Sequence, residues 1–269
     1  MNELNQLREL LRQKAKLVAM LAPSFPIMFN YPTIVSRLKQ LGFGYVVEVA
    51  VGAERTNAAV AQLLRDDPQT RFITSPCPSF VRYIRTKHPE LIPYLAFKAD
   101  SPMVATARIV NQTYSGYRPV FIGPCIVKKR EASEDYPQLN ILVITYKELL
   151  SSFPQLADAA PATGAAGDGF DMTAGITRIY PMDGGLTFSG GINAILKEEE
   201  IRIVSGWKNI EIVLEEFKKD CSIRFVDALF CDGGCINGPG ITSPLTTEER
   251  QQKVLQFQKT NQVVTSRSQ

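Results

Sequence analysis

Pro119-Val120-Phe121-Ile122-Gly123-Pro124-Cys125-Ile126-Val127-Lys128-Lys129 runs from a short apolar stretch straight into a Gly-Pro-Cys turn. An apolar run of this length bounded by turn residues reads as a strand. Glycine then lets the backbone approach a bound group closely, and proline removes an amide donor and fixes the turn. Two other segments repeat the arrangement. Residues 71–74 lead into Thr74-Ser75-Pro76-Cys77-Pro78, and residues 224–230 lead into Cys231-Asp232-Gly233-Gly234-Cys235-Ile236-Asn237-Gly238-Pro239. Ligand sites in open α/β sheets gather at the carboxyl ends of strands. The sequence therefore predicts an α/β fold that brings thiols from distant positions into one pocket.

Working outward, apolar runs at 17–22, 45–50, 141–145 and 201–205 add further strands. Helical patterns fall near 32–41, 53–65, 78–86, 103–112, 146–153, 190–197, 209–219 and 247–257. Such alternation argues for largely parallel sheets flanked by helices. Asp100-Ser101-Pro102 reads as a helix start, a capping residue followed by proline at the first helical position. Residues 156–169, rich in Ala and Gly without an apolar face, read as a mobile surface loop. Residues 261–269 read as a frayed tail.

Composition narrows the function. The chain of 269 residues carries a net charge of +3, too small to argue for nucleic acid. No signal peptide or membrane-length apolar run is visible, so a cytoplasmic protein is expected. Five cysteines in a reducing compartment serve metals or redox chemistry rather than disulfides. Cys221, between Asp220 and Ser222, reads as structural or free. Cys-Pro and Gly-x-Cys settings around Cys77, Cys125, Cys231 and Cys235 read as iron–sulfur ligation. Zinc is the competing reading. Cys231 and Cys235 have zinc-like spacing, but Cys77 and Cys125 are isolated in the chain. His88 is the only histidine. It reads as a surface residue ending a helix, and it leaves little scope for a His-dependent triad.

In this order the cysteine turns resemble the signature segments of the catalytic domain of iron-only ([FeFe]) hydrogenases. Thr74-Ser75-Pro76-Cys77-Pro78 looks like the family's Thr-Ser-Cys-Cys-Pro. Pro124, Cys125, Lys128 and Glu131 match Pro-Cys-x-x-Lys-x-x-Glu, and Cys231, Gly234 and Cys235 match the third segment. Weaker likeness at Ala22-Pro23-Ser24, Ser101-Pro102-Met103 and Gly184-Gly185-Leu186 extends it over about residues 16–241. The resemblance implies one domain over 1–269, without a ferredoxin-like cysteine cluster ahead of it. Two lobes of largely parallel sheet would hold the metal cluster in the cleft between them.

The same resemblance implies a [4Fe-4S] cluster on the four cysteines, with Cys235 bridging to a two-iron subcluster that bears CO, cyanide and a dithiolate bridge. Lys128 would donate to a cyanide, a charge-assisted hydrogen bond. Pro23, Ser24, Ser101, Met103, Pro124 and Gly234 would line the cofactor pocket.

Departures matter as much as matches. Pro76 stands where active members carry a proton-relay cysteine, and the helix after Gly52 has no acid between Glu54 and Asp66. Met103 and Leu229 replace a frequent glutamine and methionine. The resemblance is therefore to slow, sensory members that bind H2 and interconvert it with protons and electrons. Such a protein needs maturation proteins and an external electron carrier such as ferredoxin, which the run Lys128-Lys129-Arg130 would greet. Two alternatives stand beside it: a conventional hydrogenase with another proton route, and a [4Fe-4S] protein that never receives the two-iron centre.

Overall fold

The computed structural model of the chain describes residues 2–157 and 169–260. In chain order the first elements are α1 (Glu3–Arg12), β1 (Leu17–Leu21), α2 (Thr33–Leu41), β2 (Tyr45–Glu48), α3 (Ala50–Asp66) and β3 (Phe72–Ile73). They are followed by α4 (Pro78–Lys87), α5 (Pro102–Thr113), β4 (Arg118–Gly123), α6 (Lys128–Arg130), β5 (Leu142–Thr145) and α7 (Tyr146–Ser152). The remainder is α8 (Gly185–Ser189), β6 (Ile201–Ser205), α9 (Trp207–Lys219), β7 (Phe225–Leu229) and α10 (Thr247–Thr260). This is the α/β fold with parallel sheets that the sequence predicts.

Among the described residues the strands form two sheets, in the orders β2-β1-β4-β5 and β3-β7-β6. Every strand pairing in both is parallel. Each residue of β1 is buried, as a central parallel strand covered on both faces must be. The larger sheet anchors the main core, with Leu17, Met20, Val120, Ile122 and Ile144 at its centre. A second core gathers Ile73, Phe80, Ile210, Phe217 and Val226 around the smaller sheet.

Helix α5 starts where the sequence predicts. Ser101 is its N-cap and Pro102 its first residue, while Asp100 instead takes the Arg108 guanidinium at 2.6 Å. Helix α3 packs tightly on α5 at Gly52, where an added Cβ would lie 2.3 Å from the Pro102 carbonyl oxygen. The predicted helix at 190–197 does not form. Gly191 takes a left-handed φ of 64°, which stops α8 and leaves only a short 3-10 turn at Ile192–Ala194. Leu156, at the start of the expected loop, is buried in a turn spanning Pro154–Ala157. The rest of that loop from 158 to 168, and the tail from 261, lie outside the described residues.

Candidate metal centre

Each cysteine turn follows the carboxyl end of a strand. Cys77 comes after β3 and is the N-cap of α4, with Pro78 at the first helical position. The partial positive charge of a helix N-terminus favours a thiolate there. Cys125 follows β4. Cys231 follows β7, and Cys235 opens the 3-10 turn Cys235–Asn237.

Hydrogen bonds lace these turns together, between the sheets and within the smaller one. Gly240 N donates to Pro124 O at 2.8 Å, joining the Cys235 loop to the Cys125 turn. Ala228 N donates to Thr74 Oγ1 at 3.1 Å, joining β7 to the Cys77 turn. Gly234 has a φ of 90°, and a side chain there would run into the Pro181 carbonyl at 2.7 Å, so the Cys-x-x-x-Cys turn requires glycine.

All four thiols line one cleft. Burial raises the pKa of Cys77, with Cys125 adding to the rise, and the nearby backbone N–H groups of Phe230 and Phe80 offset this only in part. Burial together with Cys77 and Cys125 pushes Cys231 up to about 12. Cys235 is driven well above the ordinary thiol value by burial and by the other three sulfurs. Sulfurs that raise one another's pKa stand near enough to share a load, and metal binding must displace their protons. Among the described residues no group of three or more His, Cys, Asp or Glu side chains is placed to hold a single metal ion. Four thiols from separate Gly- and Pro-rich turns on one cleft fit an iron–sulfur cluster better than a zinc site built on a single close pair of cysteines.

Lys128 is the buried cation of the cleft. Its Nζ donates to Pro76 O at 3.1 Å, to Ser101 Oγ at 3.0 Å and to Glu131 Oε2 at 2.6 Å. Its ammonium therefore neutralises Glu131 and faces the cysteines, with all three protons committed. Of the residues expected to line the pocket, Pro23, Ser24, Pro76, Met103 and Pro124 do so beside the cysteines. Ser101 and Gly234 do not. Ser101 faces a second cavity and reaches the cleft only through Lys128, and Gly234 packs behind the wall.

Other expectations need correction. His88 ends α4 as predicted but is buried, because α9 covers it. Its Nε2 donates to Glu211 at 2.9 Å while Lys218 donates to Nδ1 at 3.1 Å. Lys129 is not a free surface charge either, since it bonds Glu3 and Glu148 at 3.2 and 2.5 Å. Arg130 pairs with Glu134 on the surface, so the basic run offers no free cationic patch.

The sequence reading missed the frame behind the site. Tyr146 donates to Ala22 O and accepts from Ser24 Oγ, both at 3.0 Å, which fixes the loop after β1. Glu48 at the end of β2 holds the fully buried Arg178 in a two-point ion pair. Asp227 accepts from Thr187 N and Oγ1 at 3.0 and 2.8 Å, tying α8 to β7. Burial raises the Asp227 carboxyl, with the Asp183 charge adding a little, and the two Thr187 bonds lower it only in part.

Comparison with known proteins places this geometry. The chain is 29% identical over 263 residues to iron hydrogenase 1 of Clostridium pasteurianum, covering 77% of this chain and 45% of that protein. It is 25% identical over 277 residues to a Caenorhabditis elegans protein named as a cytosolic Fe-S cluster assembly factor, oxy-4, covering 84% and 61%. The chain thus spans about half of the one relative and three-fifths of the other. An [FeFe]-hydrogenase from Chlamydomonas reinhardtii superposes with a TM-score of 0.70 at 18% identity, over 94% of this chain and 88% of that one. That likeness concerns the fold. The pattern described as "Iron only hydrogenase large subunit, C-terminal domain" matches residues 15–239, and the chain belongs to that family.

Proposed function

We propose that Cys77, Cys125, Cys231 and Cys235 carry a [4Fe-4S] cluster, and that the rest of the cleft takes a two-iron centre at which H2 is bound and slowly interconverted with protons and electrons. The observation that carries this reading is the extent of the cleft. Its wall continues from the four thiols to Ala22, Pro23 and Ser24 after β1 and to Met103 on α5, beyond the residues that would hold a cluster. When bound, the two-iron centre supplies the reversible cleavage of H2. The chain's own residues do the rest. Pro23, Met103 and Pro124 exclude water with apolar surface, and Ser24, anchored by Tyr146, keeps its loop fixed. Lys128 supplies the positive charge that an anionic cluster and anionic diatomic ligands require. To reach such a ligand it would exchange one of its three present partners.

Slow turnover follows from Pro76. Its ring carries no proton, and its carbonyl is occupied by Lys128. Loss of a positioned proton carrier commonly lowers a rate by about 10²–10⁴. The protein accordingly acts in the cytoplasm as a slow enzyme or as an H2 or redox sensor, exchanging electrons with a carrier such as ferredoxin.

A second reading, a [4Fe-4S] protein without the two-iron centre, is favoured by one feature: all three Lys128 protons are already satisfied within the protein. The likeness to a relative named as a cluster assembly factor also supports it. Infrared spectra after maturation separate the two. CO and cyanide bands that shift under H2 support the first reading, and their absence with the [4Fe-4S] signal retained leaves the second. Iron that stays bound after all four cysteines become serine overturns both. With the two-iron centre present, Pro76→Cys should raise H2 turnover at least tenfold.

A further inference from the structure

We propose that protons pass between the metal cleft and solvent through Glu131, by way of a second cavity that the Lys128–Glu131 pair separates from the first; this rests on the reading of the cleft as a cluster site.

Three observations converge on it. First, Lys128 lines the cleft, whereas its partners Ser101 and Glu131 line a separate, smaller cavity. Pro78 lies on both walls, so the two spaces share a partition. Second, both members of the pair are buried, with side chains 10% and 7% exposed, yet the outer wall of the second cavity carries Arg85 at 41% and Asp135 at 28%. A 3.1 Å ion pair links those two outer groups. Third, Glu131–Asp135 is a single π-helical turn closed by Tyr136 N donating to Glu131 O at 3.1 Å. Isolated π turns are frequent at functional sites. Here the turn sets Glu131 and Asp135 at the inner and outer walls of one cavity.

The route supplies a carrier where Pro76, whose carbonyl Lys128 also holds, and the acid-free stretch of α3 offer none. A proton leaving the cleft passes from Lys128 Nζ to the Glu131 carboxylate, and Lys128 regains a proton from the cleft. Glu131 then releases its proton to water beside Asp135. For each H2 split, two protons take this path and two electrons leave one at a time, to two oxidised molecules of a one-electron carrier such as ferredoxin. The groups facing Glu131 are Lys128 on its own turn, Ser101 on α5, Arg85 on α4, and Asp135 and Tyr136 in the π turn, with the Asp100–Arg108 pair beside Tyr136.

The test uses the full chain reconstituted with its [4Fe-4S] cluster and rapidly reduced, with cluster reduction read by its visible absorption and the accompanying proton uptake read by a pH dye in stopped flow. A relay sets the rate of proton exchange and leaves the equilibrium alone. Glu131→Gln keeps an acceptor for Lys128 but carries no proton, so uptake should slow by about 10²–10⁴ with the cluster spectrum and midpoint potential intact. Glu131→Asp should restore most of the rate. No proton uptake on reduction of the natural chain, or an unchanged uptake rate in Glu131→Gln, overturns the proposal while leaving the cluster reading in place. A natural chain that assembles no cluster defeats both. Should Glu131→Gln fail to retain the cluster, reduction-induced infrared difference spectra of the natural chain decide. A carboxyl C=O band that shifts in D2O supports the route, and no such band overturns it.

Discussion

A single side chain has its meaning set by what surrounds it, and the cysteines show this most directly. Cys221 is exposed, whereas Cys77 is buried and Cys235 is half-buried beside three other sulfurs. In metal-free protein at pH 8, Cys221 should be alkylated first and Cys231 far more slowly. Because the Cys231 thiol is pushed up to about 12, its thiolate fraction and its labelling rate should keep rising with pH toward that value. Peptide mapping of iodoacetamide adducts checks the order. The buried pair of Glu48 and Arg178 gives a second prediction. Arg178→Met leaves a buried carboxylate without its counter-charge and should cost about 3–5 kcal/mol in denaturant unfolding. Burial already raises Glu48 above its ordinary value of 4.5, with Arg178 opposing. A native pKa above the unfolded one means that the native state holds its proton longer, so the loss in Arg178→Met should be largest at neutral pH and shrink as pH falls. The cysteines and Lys128 were legible in the sequence because glycine, proline and spacing mark them locally. Tyr146 with Ser24, and Glu48 with Arg178, were not, since partners more than a hundred residues apart leave no local mark.

Secondary-structure elements were legible wherever an apolar run or periodicity decided them, and every strand read from the sequence has its counterpart. The failure at 190–197 came from a glycine conformation that periodicity does not register. Burial of His88 was equally hidden, because the helix that covers it lies over a hundred residues further along. The contact between α3 and α5 is where elements control the site. Ser101, which receives a Lys128 proton, caps α5, and α5 is pressed onto α3 at Gly52. Gly52→Ala must push the two helices apart, because the contact it meets is backbone. The expected cost is about 1–3 kcal/mol, read by thermal or denaturant unfolding. Displacement of α5 should also loosen the Lys128 bond to Ser101, so the variant's cluster spectrum should broaden even at temperatures where it stays folded.

Over the whole molecule, the site draws on both sheets. Cys125 follows a strand of the larger one, whereas Cys77 and Cys231 follow strands of the smaller. A cluster bound to all four cysteines therefore staples two cores, and anything that binds the folded state alone adds to its stability. Cluster-loaded protein should unfold well above the metal-free form, by about 4 kcal/mol if loading corresponds to a thousandfold excess over the dissociation constant. Chelation of the iron should reverse the gain, as differential scanning calorimetry can show. Strand order has one more consequence. β3 is made early, but its ladder partner β7 lies some 150 residues downstream, and two of the sulfurs come later still. On the ribosome, two of the four ligand thiols emerge long before their companions exist, so a cluster can be fully held only once Cys235 has been made, and a nascent chain cut short of it has nowhere to keep iron.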